Sequence, residues 1–184
     1  MLNARRLQLN KSAAYPISYN DMTKINLSQW FHDHLRASAE GFVWGVEQIP
    51  VERQLNQPPE GLGEWSVARH IFHMAFYEQT YALPGMRQWL GASLPDQKGL
   101  DEDVAWDGGR QEIDHLLVAF QKVRDEQIAL LEKYDDLAWN TTRETVWGPV
   151  TLAWVVSKTY QHTAEHTSDV MRIGLFWDRY AKRR

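Results

Sequence analysis

"WSVARHIFHMAFYE", residues 65–78, reads as the opening of an amphipathic helix that carries two histidines. Ser66 is a good N-cap, because its hydroxyl can accept from one of the first unsatisfied backbone N–H groups, and Trp65 stands just before it. Val67, Ile71, Met74 and Tyr81 recur at helical spacings and form an apolar stripe. His70 and His73 are three residues apart, which is 300° of turn, so both imidazoles lie toward one side. Pro84–Gly85 kinks or ends this helix, with a remnant reaching Leu90.

Three more long segments keep the same period. Over about 27–49, Leu27, Trp30, Phe31, Leu35, Phe42 and Val46 recur at three and four, with Ser28 as candidate cap and Pro50 as stop. Over about 110–134, Ile113, Leu116, Phe120, Val123, Leu130 and Tyr134 make a stripe. The last segment, about 151–180, carries Leu152, Val155, Val156, Val170 and Ile173. The expected fold is all-α, a four-helix bundle, in which sites are built from facing core side chains.

The connections differ in kind. "PVERQLNQPPEGLGE", residues 50–64, is too rich in Pro and Gly for an element of its own. Gly91 to Gly109 is long enough to travel the length of a bundle, so the second and third helices need not be antiparallel neighbours. "NTTRETVWGPVT", residues 140–151, has β-prone residues and suits a short hairpin. Residues 1–21 lack helical periodicity and read as a loose N-terminal arm, with Met22 as an alternative start and the bundle domain over 22–184.

Composition narrows the chemistry. The chain has 184 residues, 43% of them hydrophobic, enough for one domain with a real core. A net charge of −4 provides no broad basic field, which argues against nucleic acid. No apolar run approaches a membrane span, and the opening residues have no apolar core of a secretory signal, so a cytoplasmic protein is expected. There are no cysteines, so any transition metal must be held by His, Asp or Glu. Nine Trp are many for one bundle; Trp30, Trp44, Trp89 and Trp177 exceed what a single core needs, which points to a homodimer.

"HTAEHTSDVMR", residues 162–172, adds His162 and His166, four apart on the last helix. Either pair alone reads more readily as two polar residues sharing a face. Together, if the second and fourth helices met, they would gather three histidines around one ion. Three neutral imidazoles with open positions suit Zn²⁺, Ni²⁺ or a similar divalent ion. His32, His34 and His115 fit a helix surface or its edge. "HTAEH" also matches the inverted zinc-protease pattern H-x-x-E-H. Too little chain follows for that family's further acidic ligand, and Glu165 points about 100° away from His166.

"PPEGLGEWSVARHIFHMAFYE" (58–78) and "WGPVTLAWVVSKTYQHTAEH" (147–166) resemble the DinB-like (DinB/YfiT-like) superfamily of four-helix proteins read as metalloenzymes. The resemblance rests on Trp65, Ser66, Val67, His73, Glu78, His162 and His166 in order and at the family's spacing, and covers about residues 27–180. It implies an up-down-down-up bundle, with which the long 91–109 connection agrees. It also implies that His73, His162 and His166 are the metal ligands, with His70 in a supporting place behind them. The family often has Gln three residues after the last His, where this chain has Asp169. That carboxylate either orients His166 or faces solvent.

Members of the superfamily include metal-dependent enzymes that act with small-molecule thiols. The resemblance therefore implies a metal-dependent hydrolase or thiol transferase for a small molecule, with any thiol supplied from outside. Tyr77, Tyr160 and Glu78 are candidate proton-transfer groups, set against ordinary packing for the tyrosines and a solvated position for Glu78. The competing reading is a metal-stabilised binding or interaction module without turnover. No basic stripe or recognition helix supports a role on DNA.

Overall fold

The computed structural model describes residues 26–182; the expected N-terminal arm and the alternative start at Met22 lie outside the described residues. The first helix, α1, spans Leu27–Glu47. Its cap is Asn26, whose Oδ1 accepts from the Gln29 N–H at 3.1 Å, and Ser28 already sits inside the first turn. Pro50 ends the helical run, and one turn, α2 (Val51–Gln54), follows in the segment expected to hold no element. That turn has a use. Gln54 Nε2 donates to the carbonyls of Ile49 (2.9 Å) and Val46 (3.3 Å), tying the turn to the end of α1.

Helix α3 spans Val67–Tyr77 and begins as expected, with Ser66 Oγ accepting from the Arg69 N–H at 3.2 Å. Its end is more structured than a kink. Residues Glu78–Ala82 form a π turn, α4 (Leu83–Arg87) follows, and a 3₁₀ turn (Gln88–Leu90) closes at Gly91, whose φ of 87° is a conformation glycine adopts without strain. Pro84 supplies the cause. It has no N–H to give the Thr80 carbonyl, which instead accepts from Gln97 Nε2 at 3.2 Å, tying the long connection to the helix.

The connection contains a short helix of its own, α5 (Glu102–Asp107), capped by Asp101 Oδ1. Helix α6 spans Ile113–Leu131. The expected hairpin is present: β1 (Thr142–Thr145) pairs antiparallel with β2 (Gly148–Thr151), Thr142 opposite Thr151. Helix α7 (Leu152–Ala181) completes the bundle, its first turn capped by Thr151.

Two buried clusters establish the helix directions. One joins Phe31 and Leu35 at the start of α1 to Leu83 and Met86 of α4, Leu130 and Leu131 at the end of α6, and Val155 and Val156 at the start of α7. The other joins the end of α1 (Phe42, Val46) to the start of α3 (Val67, Ile71), the start of α6 (Leu116, Phe120) and the later part of α7 (Val170, Ile173). Thus α1 and α7 run one way while α3 and α6 run the other, which is the up-down-down-up order. Between the clusters lies a buried polar layer that includes Glu78, Arg124, Gln127, Thr159 and Thr163. Among the described residues no helix is long and apolar enough to cross a membrane.

Candidate metal centre

The face of α3 that carries His70 and His73 meets the face of α7 that carries His162 and His166. His73 Nε2 lies 3.1 Å from His162 Nε2, and His162 Nε2 lies 3.1 Å from His166 Nε2. One nitrogen from each of His73, His162 and His166 falls within 4.8 Å of the others. An N–H···N hydrogen bond could account for either contact alone, but the single Nε2 of His162 faces two such nitrogens, and nitrogens about 2.1 Å from one ion sit roughly 3.0–3.4 Å apart.

The remaining ring nitrogens are held from behind. His73 Nδ1 is 2.9 and 3.0 Å from the two oxygens of Glu102, which can only accept; the proton therefore sits on Nδ1 and the Nε2 lone pair is free. Arg69 Nη2 lies 3.0 Å from Glu102 Oε1 and 2.6 Å from Asp103 Oδ1, keeping α5 against α3. Its guanidinium also covers the rings of Trp65, Phe72 and Trp106 at 5.2–5.3 Å. His70 Nδ1 is 2.8 Å from His166 Nδ1, so one ring donates to the other. Trp65 stacks on His166 at 6.0 Å between centroids, walling one side.

Burial, ahead of the charges on neighbouring rings, pushes His70 and His162 down to about 3 and His166 to about 4. All three are neutral at neutral pH, the form in which imidazole binds a metal. The Lys158 ammonium is among the charges that disfavour protonation of His162. His162 Nδ1 is buried and has no hydrogen-bond partner.

A sequence model of the DinB superfamily matches residues 34–170. The chain belongs to the DinB superfamily. Among solved structures it is similar to YfiT from Bacillus subtilis, described as a probable metal-dependent hydrolase with an unusual four-helix bundle topology. The two share 15% identity over 94% of this chain and 92% of that one, with a TM-score of 0.65, a likeness of fold. No curated protein sequence matches.

Within this DinB-superfamily chain two candidate proton carriers are displaced. Glu78 is neither solvated nor at the cluster; it is wholly buried, and both its oxygens are taken by Arg124, Nε at 3.1 Å from Oε2 and Nη2 in contact with Oε1. Burial pushes its carboxyl up, against the pull of the guanidinium. Tyr160 packs near Trp30 and His34 of α1, because two residues from His162 is about 200° of turn. Tyr77 does reach the site. Its ring is 4.2 Å from that of His162, and its hydroxyl is buried without a partner.

Asp169 is half-exposed and pairs with Arg172 at 3.0 Å, while remaining within 4.8 Å of ligand atoms on His70 and His166. His34 stacks on Trp30 at 3.8 Å, and His115 is exposed, both away from the centre. Sequence reasoning missed Glu102. The available signal was Asp101-Glu102-Asp103, a helix-start pattern inside the long connection.

Proposed function

We propose that this chain is a metal-dependent enzyme, a hydrolase or thiol-dependent transferase for a small molecule, whose divalent ion is held by Nε2 of His73, His162 and His166. The observation that carries the reading is the convergence of these three nitrogens, with His162 Nε2 3.1 Å from each of the other two, Glu102 behind His73 and His70 behind His166. The likeness to YfiT, described as a probable metal-dependent hydrolase, supports it. An all-imidazole donor set suits Zn²⁺ or Ni²⁺. Such an ion supplies Lewis acidity, which polarises a carbonyl or acidifies a water or thiol.

The chain's own residues divide the remaining work. Glu102 fixes the tautomer and orientation of His73. With the Nδ1 proton of His166 given to His70, the Nε2 lone pair of His166 would be left free to hold the ion. Trp65 and the stacked Arg69 exclude water from one side. Tyr77, its phenol pushed well above the ordinary range by burial, keeps its proton and would serve as a hydrogen-bond donor to a bound substrate rather than as a base. With no cysteine in the chain, a thiol would come from a cosubstrate.

Elemental analysis of the purified protein, with titration of Zn²⁺ and Ni²⁺ into chelator-treated protein, tests the reading. The expected result is a single tight site, lost in His162→Ala. Absence of binding at micromolar metal would overturn it.

A further inference from the structure

We infer that Lys158 is the recognition point for an anionic group on the substrate, so that this site takes small molecules with a negative charge about one helical turn from the reacting atom. This rests on the metal-site reading above and adds the substrate class to it. Lys158 precedes His162 by four residues and His166 by eight, which places all three on one face of α7 about 6 Å apart per step. It is half-buried, and among the described residues no carboxylate lies within ion-pair distance of it. Its stem packs along α7 while its charge is left without a protein partner.

The other charges beside the centre are arranged differently. Glu102 and Asp103 share Arg69, and Asp169 has Arg172. Glu165 is exposed and three residues beyond His162 on α7. Lys158 is thus a cation one turn before His162 on α7 with no carboxylate partner among the described residues.

The surroundings suit an organic body. Trp154 lies one turn before Lys158, Trp147 of the hairpin turn sits 5.6 Å from Trp154 and 6.2 Å from Tyr77, and Tyr77 sits 4.2 Å from His162. A continuous run of ring contacts therefore leads from the exposed Trp154 to His162, with Lys158 on the same stretch of helix. A substrate lying there would set its apolar part against rings and its anionic end on the ammonium.

Hydroxamates that chelate the metal provide the probe. Succinic and glutaric monohydroxamates carry a carboxylate tail, and their terminal amides are neutral counterparts of the same length. Zn²⁺-loaded wild-type protein should bind the better acid roughly tenfold tighter than its amide, as a charge-assisted contact requires. Lys158→Met should bind both alike, with Zn²⁺ affinity and melting temperature unchanged, and Lys158→Arg should restore the preference. Equal binding of acid and amide by wild type, with Zn²⁺ still tightly held, would overturn the inference and leave the metal centre standing. Failure to hold Zn²⁺ at all would overturn both.

Discussion

Glu102, on a six-residue helix inside the long connection, holds Nδ1 of His73 with both carboxylate oxygens, at 2.9 and 3.0 Å. The connection between the second and third long helices therefore contributes to the centre as well as spanning the bundle. Glu102→Ala should weaken metal binding by roughly 10–100-fold, because the imidazole loses its fixed tautomer and orientation. Competition against a chromophoric chelator measures this directly, and an unchanged affinity would show that the contact has no influence on the ligand.

The histidines should separate into two ranks. His73→Ala, His162→Ala or His166→Ala should each abolish tight binding, since two imidazoles do not hold the ion as three do. His70→Ala should retain part of the affinity, because His70 touches His166 through Nδ1 and sits behind the converging nitrogens. Calorimetric titration of the four variants decides it. Loss of binding in His70→Ala with retention in His73→Ala would move the ligand assignment on α3 by one helical neighbour.

How much of this was readable beforehand follows from which interactions are local. The Ser66 cap, the break at Pro84 and the pairing of His162 with His166 depend on residues within a turn or two, and the sequence shows them. The same helical period turns Tyr160, two residues from His162, away from the centre. Glu102 and Arg124 could not be placed in that way. Which carboxylate backs His73 depends on how the 91–109 segment lies over α3, and the partner of Glu78 depends on the register of α3 against α6. The π turn at Glu78–Ala82 was equally hidden, since it reflects Pro84 together with Gln97, seventeen residues from the carbonyl it caps.

Acid should destabilise the metal-free protein well before ordinary carboxylate titration. His70 and His162 are held down to about 3 and His166 to about 4, against 6.5 for an unperturbed ring. Between those values and 6.5 the unfolded chain binds protons that the folded chain refuses, so stability falls as pH drops through 6.5 and continues to fall toward 4. Urea unfolding at a series of pH values should show a positive slope of stability with pH across this window. A flat profile from pH 7 to 5 would mean that these rings titrate normally in the folded state.

Exposed aromatics bear on assembly. Trp89 is buried with its Nε1–H on the Thr141 carbonyl at 2.9 Å, and Trp177 packs against the core under Arg53, so two of the four surplus tryptophans are accounted for within the chain. Trp30 and Trp44 remain 38% and 54% exposed on α1. We expect a homodimer that covers this face, and Trp44→Glu should shift it toward monomer in sedimentation velocity. A wild-type monomer at micromolar concentration would exclude the pairing.

Arg124 and Glu78 form the middle of the polar layer that divides the core, and the pair reaches further than its two residues. Arg124 donates to the Leu35 carbonyl (2.8 Å) and Ser38 Oγ (2.9 Å) on α1 and to Thr163 Oγ1 (2.7 Å) on α7, so one side chain from α6 joins all four sides of the bundle. Thr163 adjoins His162, which links this layer to the metal centre through the backbone of α7. Arg124→Met would leave the Glu78 carboxylate buried without a counter-charge and should cost about 3–5 kcal/mol, as breaking a buried pair from one side does. Adding Glu78→Leu removes the orphaned charge and should recover much of that loss, since apolar replacement of both partners is often close to neutral. Chemical denaturation of the two single variants and the double measures the coupling. A double variant no more stable than Arg124→Met would show that the contacts to Leu35, Ser38 and Thr163, rather than the ion pair, hold the layer together.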